Sequence, residues 1–141
     1  MTPTVEKKIR DSFAAQAMME TLRAKLVRVA PGEVEITAPI LLSSRQQHGF
    51  AHAGLTFAIG DSAAGYAALS TMAEDHEVLT AEMKINLLAP GAGDGLVARG
   101  RVIRPGRRLV VVQADVYAVR DGAEAHIALM TGTMVPVIPK G

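Results

Sequence analysis

The sequence predicts an α+β fold in which one antiparallel β-sheet curls around a single long central helix, with an extra helix at the N-terminus. Three observations carry that expectation. From about His52 to Glu74 there is no proline, and Ala, Gly and Ser dominate, which predicts a long, thin helix. Four β-like runs follow it in series, separated by turn residues. Before it stand an amphipathic helical stretch and one hairpin.

Val5, Ile9, Phe13 and Ala17 recur every four residues between polar neighbours, the spacing of a helix with one apolar face running to about Glu20. Leu22 to Val29 and Glu33 to Ile40 flank Pro31-Gly32 and read as a hairpin. Leu41 to Phe50 is polar in its middle and reads as a loop. The long helix opens near His52. After it, Leu79, Ala81, Met83, Ile85 and Leu87 alternate with Thr80, Glu82, Lys84 and Asn86, predicting a strand half-buried on its Leu79 side. Pro90 to Gly95 ends it. Leu96 to Arg104, Leu109 to Arg120 and Ala125 to Val137 are three further strands. The breaks between them at Pro105-Gly106 and Asp121-Gly122 are too short for a parallel crossover, so they form antiparallel hairpins. No repeat or linker interrupts the 141 residues, which suit one domain, 1-141.

A chain of this length buries roughly 70% of its unfolded surface. Hydrophobic residues make up 49% of it and aromatics only 4%, so the core is expected to be packed from small and branched side chains. Glycine inside a helix costs about 1 kcal/mol against alanine, and Gly60 and Gly65 therefore predict that something approaches the long helix closely. Fifteen basic residues against fourteen acidic ones leave a net charge of +1, with no general field to draw nucleic acid or an anionic membrane. Without cysteine there is no disulfide, thiolate metal site or cysteine nucleophile. A polar N-terminus and the lack of any apolar run near ~20 residues predict a cytoplasmic protein that does not enter membranes.

Two features of the long helix can carry chemistry. Positions 54, 58, 61, 65 and 68 form one stripe by three-and-four spacing, reading Gly, Ala, Asp, Gly, Ala. Nothing bulky flanks Asp61 there, so a substrate or another chain can reach past Gly54 and Gly65 to a carboxylate able to act as base or nucleophile. On periodicity alone, a solvated surface Asp fits equally well. The second feature is the helix start at His52, Ala53 and Gly54, whose free N–H groups can polarise a carbonyl oxygen. His48 and His52 are neighbours, but no third ligand completes a zinc set, so no metal is expected.

The run Gln46-Gln47-His48-Gly49-Phe50-Ala51-His52-Ala53-Gly54, followed by Asp61, resembles the hotdog-fold acyl-CoA thioesterases of the phenylacetate-degradation type. Six residues separate Gln46 from His52 and nine separate His52 from Asp61, as in that family's pattern. Thr80 to Pro90 and Gly132-Thr133 resemble its later strands, so the likeness covers nearly the whole chain. The resemblance implies a hotdog fold, an acyl-CoA substrate and no cofactor beyond the CoA of that substrate. It also implies roles: Asp61 as general base or nucleophile, Gln46 as the amide side chain, Ala53 as the oxyanion-binding backbone N–H, and Thr80 as a hydroxyl near the reacting water. The chain has Ala53 where the family usually has Gly, and Gln46 where near relatives more often have Asn. Gln47 competes with Gln46 for the amide role.

Geometry adds that Ala53 and Asp61, eight residues apart, are separated by about 12 Å along one helix. An attacking group must come within about 3 Å of a carbonyl carbon whose oxygen meets the oxyanion donor. Two antiparallel helices of a two-fold pair satisfy both demands, which predicts a homodimer with composite interface sites and leaves a dimer of dimers open. Arg104, Arg107 and Arg108 cluster at a turn where they could meet CoA phosphates, or simply form a solvated hairpin end. Two other readings stand beside the thioesterase. One is a hotdog enoyl-CoA hydratase or dehydratase with His48 as base beside Asp61, although Gly49-Phe50-Ala51 lacks the proline-rich loop of such enzymes. The other is a non-catalytic acyl-CoA-binding module.

Overall fold

The structure, a computed structural model, describes residues 1–140, with Gly141 outside them. Helix α1 (Pro3–Ala15) begins where the Thr2 hydroxyl accepts the Val5 N–H and proline occupies the first turn, two features that favour a helix start. The sequence predicts one N-terminal helix to about Glu20. Instead the chain turns extended at Gln16 (φ −76°, ψ 101°) before a short α2 (Ala17–Thr21). The Gln16 side-chain amide donates to Tyr66 Oη at 2.6 Å, a tertiary bond that local periodicity does not register. Val5 and Ile9 bury the apolar face of α1.

Strands β1 (Lys25–Ala30), β2 (Glu33–Pro39), β3 (Glu77–Leu87), β4 (Gly95–Arg104), β5 (Val110–Arg120) and β6 (Ala123–Val137) form one antiparallel sheet, in the order β1-β2-β4-β5-β6-β3. β4-β5-β6 is the meander expected from the two short breaks. β3 and β4 are consecutive in the chain but not neighbours, because β4 lies beside β2 and β3 occupies the far edge beside β6. The segment joining them is tied across the end of the sheet by Leu88 N–H to Ile127 O and Asp94 N–H to Val119 O.

Helix α3 (Ala53–Leu69) lies in the concave face of this sheet, the wrapped arrangement the sequence predicts. It stops short of the predicted Glu74: the Ser70 hydroxyl donates to Ala67 O and accepts the Gly32 N–H at 2.7 Å. Along β5, Val110, Val112, Ala114, Val116 and Ala118 are buried against the helix. Close approach requires two glycines. A Cβ on Gly100 of β4 would stand 2.3 Å from the Ala63 backbone, and one on Gly60 would stand 2.2 Å from Met130 Sδ. The core is built from Ala, Val and Ile with few aromatics, as composition implies. No helix among the described residues is long and apolar enough to cross a membrane.

One predicted register is corrected. Leu79 is 60% exposed and Ala81 is also exposed, whereas Val78, Met83 and Ile85 pack on the core. A β-bulge between Thr80 and Glu82 inserts a residue and resets the alternation. The bulge therefore turns Thr80, not Leu79, toward α3.

Candidate active site

Asp61 sits in the middle of α3, half-buried. The Thr80 hydroxyl donates to its Oδ1 at 2.8 Å, so the bulge in β3 delivers a donor to the carboxylate. Burial raises the Asp61 pKa above the ordinary carboxylate value, and the Thr80 bond offsets part of that rise. Asp61, Gly65, Thr80, Tyr66, Ser12 and Gln16 line a cavity of about 250 Å³. The predicted stripe is open at Gly54, half-buried at Ala58, Asp61 and Gly65, and closes into the core at Ala68. Among the described residues, a Cβ on Gly65 would meet only the end of Met134, with Cε at 3.8 Å and Sδ at 4.0 Å. Packing within the chain therefore gives no reason for glycine at 65, and its missing side chain leaves room beside Asp61.

The start of α3 is held by the loop before it. Gln46 closes that loop: its backbone N–H donates to Phe50 O, and its Oε1 accepts the N–H groups of His48 (2.5 Å) and Phe50 (3.3 Å). Its Nε2 is left as the group able to meet a ligand. His52 caps the helix, with Nδ1 accepting the Gly54 N–H at 2.8 Å, which leaves its ring proton on Nε2 when the ring is neutral. The His52 N–H donates to Ser44 O, and the Leu55 N–H to His52 O. Among the described residues, the Ala53 N–H alone of residues 52 to 55 has no acceptor. A free, exposed amide at a helix N-terminus can bind a developing oxyanion.

Gln46, Gln47, His52 and Ala53 line a second cavity of about 600 Å³, walled by Leu87 to Gly91 and Ile127. It shares no residue with the Asp61 cavity. Within one chain, the candidate site residues thus fall into two groups, about 12 Å apart along α3. His48 is exposed on the loop and lines neither cavity. Arg104 and Arg108 are exposed at the β4-β5 turn, while Arg107 borders a cavity of about 510 Å³ with Thr71, Met72 and His76, beyond the C-terminal end of α3. Among the described residues, no three His, Asp or Glu side chains converge as a metal site.

Sequence reasoning missed Ser12 and Gln16. Both meet Tyr66, which is buried, and whose hydroxyl bonds Ser12 Oγ at 3.0 Å and Gln16 Nε2 at 2.6 Å beside Asp61. The i, i+4 spacing of Ser12 and Gln16 puts both on one face of the N-terminal segment, but nothing local announces a partner fifty residues away.

The family model of the thioesterase superfamily matches residues 48–125. The crystal structure of a thioesterase family protein from Silicibacter pomeroyi is similar, at 47% identity and a TM-score of 0.93, over 96% of this chain and 99% of that one. A variant of the phenylacetic acid degradation protein of Thermus thermophilus is 28% identical with a TM-score of 0.73, over 85% of this chain and 98% of that one. A curated relative from Saccharolobus solfataricus that bears an esterase name is 38% identical over 87 residues, covering 62% of this chain and 55% of that protein. The chain thus matches about half the length of that relative.

Proposed function

This chain belongs to the thioesterase superfamily, a family of thioester hydrolases, and has its hotdog fold; from that premise we propose that it hydrolyses acyl-CoA thioesters at a site shared by two copies of the chain. The thioester oxygen is bound by the Ala53 N–H of one copy. Asp61 of the other copy acts on the carbonyl carbon. In one route Asp61 takes a proton from water, the hydroxide adds to the carbon, and the C–S bond breaks as CoA thiolate leaves and collects the proton. In the other, the carboxylate itself adds and the C–S bond breaks as CoA thiolate leaves, forming an anhydride; water then opens it to the free acid and the Asp61 carboxylate, and the remaining proton goes to the thiolate. Thr80 holds the Asp61 carboxyl for either route, and the Gln46 amide orients substrate or water. The reaction calls for no metal or redox cofactor, and CoA enters only as part of the substrate.

The observation that carries this reading is Asp61 itself: a half-buried carboxylate, hydrogen-bonded by Thr80, in a cavity that Gly65 leaves open. Two features support the pairing. The donor and the carboxylate lie in separate cavities along one helix, and β3 is an 11-residue edge strand that, among the described residues, pairs with β6 alone. An exposed edge of that length is a template for another strand. Pairing two copies through β3 with their α3 helices antiparallel would bring each Ala53 toward the other's Asp61. It would also carry the Arg104, Arg107 and Arg108 turn of one copy toward the Gln46 end of the other, where CoA phosphates could meet it.

Replacing Asp61 by Asn keeps the shape and removes the base. Thiol release from a suitable acyl-CoA is expected to fall by about 10²- to 10⁴-fold. Undiminished release would exclude Asp61 from the chemistry.

A further inference from the structure

The cavity beside Asp61 is unusual for an acyl pocket in one respect: its N-terminal wall is polar. Ser12, Gln16 and Tyr66 line it together with Asp61, and they form a network of their own. Gln16 Nε2 donates to Tyr66 Oη at 2.6 Å, and Ser12 Oγ lies 3.0 Å from the same oxygen. The wall is firmly set. Val5 and Ile9 anchor α1 in the core, Phe13 packs edge-on against the Tyr66 ring at 6.4 Å, and the extended backbone at Gln16 ends α1 where its amide reaches Tyr66.

Counting protons shows what this network leaves over. The two hydroxyls of Ser12 and Tyr66 carry two protons, and their mutual bond uses one. Whichever of them donates, the other proton has no acceptor among the described residues. A plain alkyl chain filling the cavity would strand that proton, whereas an oxygen at the far end of the acyl group would accept it. Size adds a second limit. About 250 Å³ falls below the ~300–1,000 Å³ of pockets that hold drug-sized ligands, so a compact acyl group suits it. Tyr66 lies five residues beyond Asp61, about 7.5 Å along α3, so the oxygen it meets sits well away from the reacting carbonyl.

Resting on the thioesterase reading above, we propose that Ser12, Gln16 and Tyr66 select the acyl group. The cavity takes a compact acyl chain ending in a hydrogen-bond acceptor, such as a hydroxyl or carbonyl oxygen, in preference to an alkyl chain of equal length. Gln16 acts through Tyr66 as a positioning residue, and the two hydroxyls are the contacts. Either hydroxyl alone retains a free proton, so only their joint removal abolishes the preference.

The test compares kcat/KM for 6-hydroxyhexanoyl-CoA and heptanoyl-CoA, which differ by a hydroxyl in place of a methyl. The native protein is expected to prefer the hydroxylated thioester by about tenfold, the worth of one hydrogen bond. The double variant Ser12→Ala with Tyr66→Phe, which keeps the shape of the wall, should bring the ratio close to one. A native ratio at or below one overturns the proposal without any variant. Hydrolysis of both thioesters with a ratio that the double variant leaves in place also overturns it, while the thioesterase reading survives. Release of thiol from neither substrate overturns the proposal, and the thioesterase reading falls with it only where a wider panel of acyl-CoAs is also left intact.

Discussion

Ala53 and Asp61 divide the proposed chemistry between a backbone amide and a carboxylate, and each can be removed without disturbing the fold. Ala53 is the first residue of α3, where proline is tolerated because its missing N–H has no partner inside the helix. His52 before it has φ −64° and ψ 141°, the extended conformation that a following proline demands. Ala53→Pro therefore deletes the proposed oxyanion donor alone. Thiol release should fall by about 10²- to 10³-fold while the circular dichroism spectrum stays native; normal turnover would move the oxyanion hole elsewhere. Asp61 gives a pH signature. Burial raises its pKa, so the folded protein binds this proton more tightly than the unfolded chain does. Its contribution is most favourable below the ordinary carboxylate range and is lost as pH rises through the raised value. Above that raised value the ionised group is a burden, and there Asp61→Asn should melt at a higher temperature. Thr80→Val removes the bond that lowers the pKa, so the acid limb of kcat/KM should move to higher pH. A limb that stays put would show that another group titrates.

At the scale of elements, helix α3 and the bulge in β3 position these residues. The helix was legible because its small-residue composition and the absence of proline leave no other element of that length. Its glycines separate into two kinds that sequence alone does not distinguish. A methyl group on Gly100 of β4 would collide with the Ala63 backbone at 2.3 Å, which cannot yield, whereas one on Gly65 meets only the end of Met134. Gly100→Ala should destabilise by about 3 kcal/mol, while Gly65→Ala should leave stability unchanged or raise it by up to about 1 kcal/mol and still slow hydrolysis by crowding Asp61. Thermal melts and thiol release on the two variants check both. A Gly65→Ala enzyme of full activity would show that the space beside Asp61 is not used. The bulge was not legible. Alternation over Leu79 to Leu87 favours the wrong face for Leu79 and Ala81, because one inserted residue reverses every side chain before it, and no turn residue marks the insertion.

Across the whole molecule, the two groups of site residues lie in separate cavities, and the proposed reaction needs a second copy. Mixing tests this directly. Ala53→Pro and Asp61→Asn are each inactive alone on this reading, yet a hybrid pair carries one intact site, made of Ala53 from one chain and Asp61 from the other. Chains refolded together should regain about a quarter of native activity, because half of the pairs are hybrids with one working site of two. A mixture no more active than its components would return the whole site to one chain. The sequence by itself determined the sheet and helix inventory and the meander of the last three strands, since these rest on periodicity and turn chemistry, whereas Ala53 and Asp61 became a candidate pair through the family resemblance. Tertiary structure alone decided that β3 lies at the far edge of the sheet, that Thr80 faces Asp61, and that Ser12 and Gln16 close the Asp61 cavity. Each of those facts is a meeting of groups far apart in the chain, and such meetings are set by packing and hydrogen-bond closure, which leave no periodic trace in the order of residues.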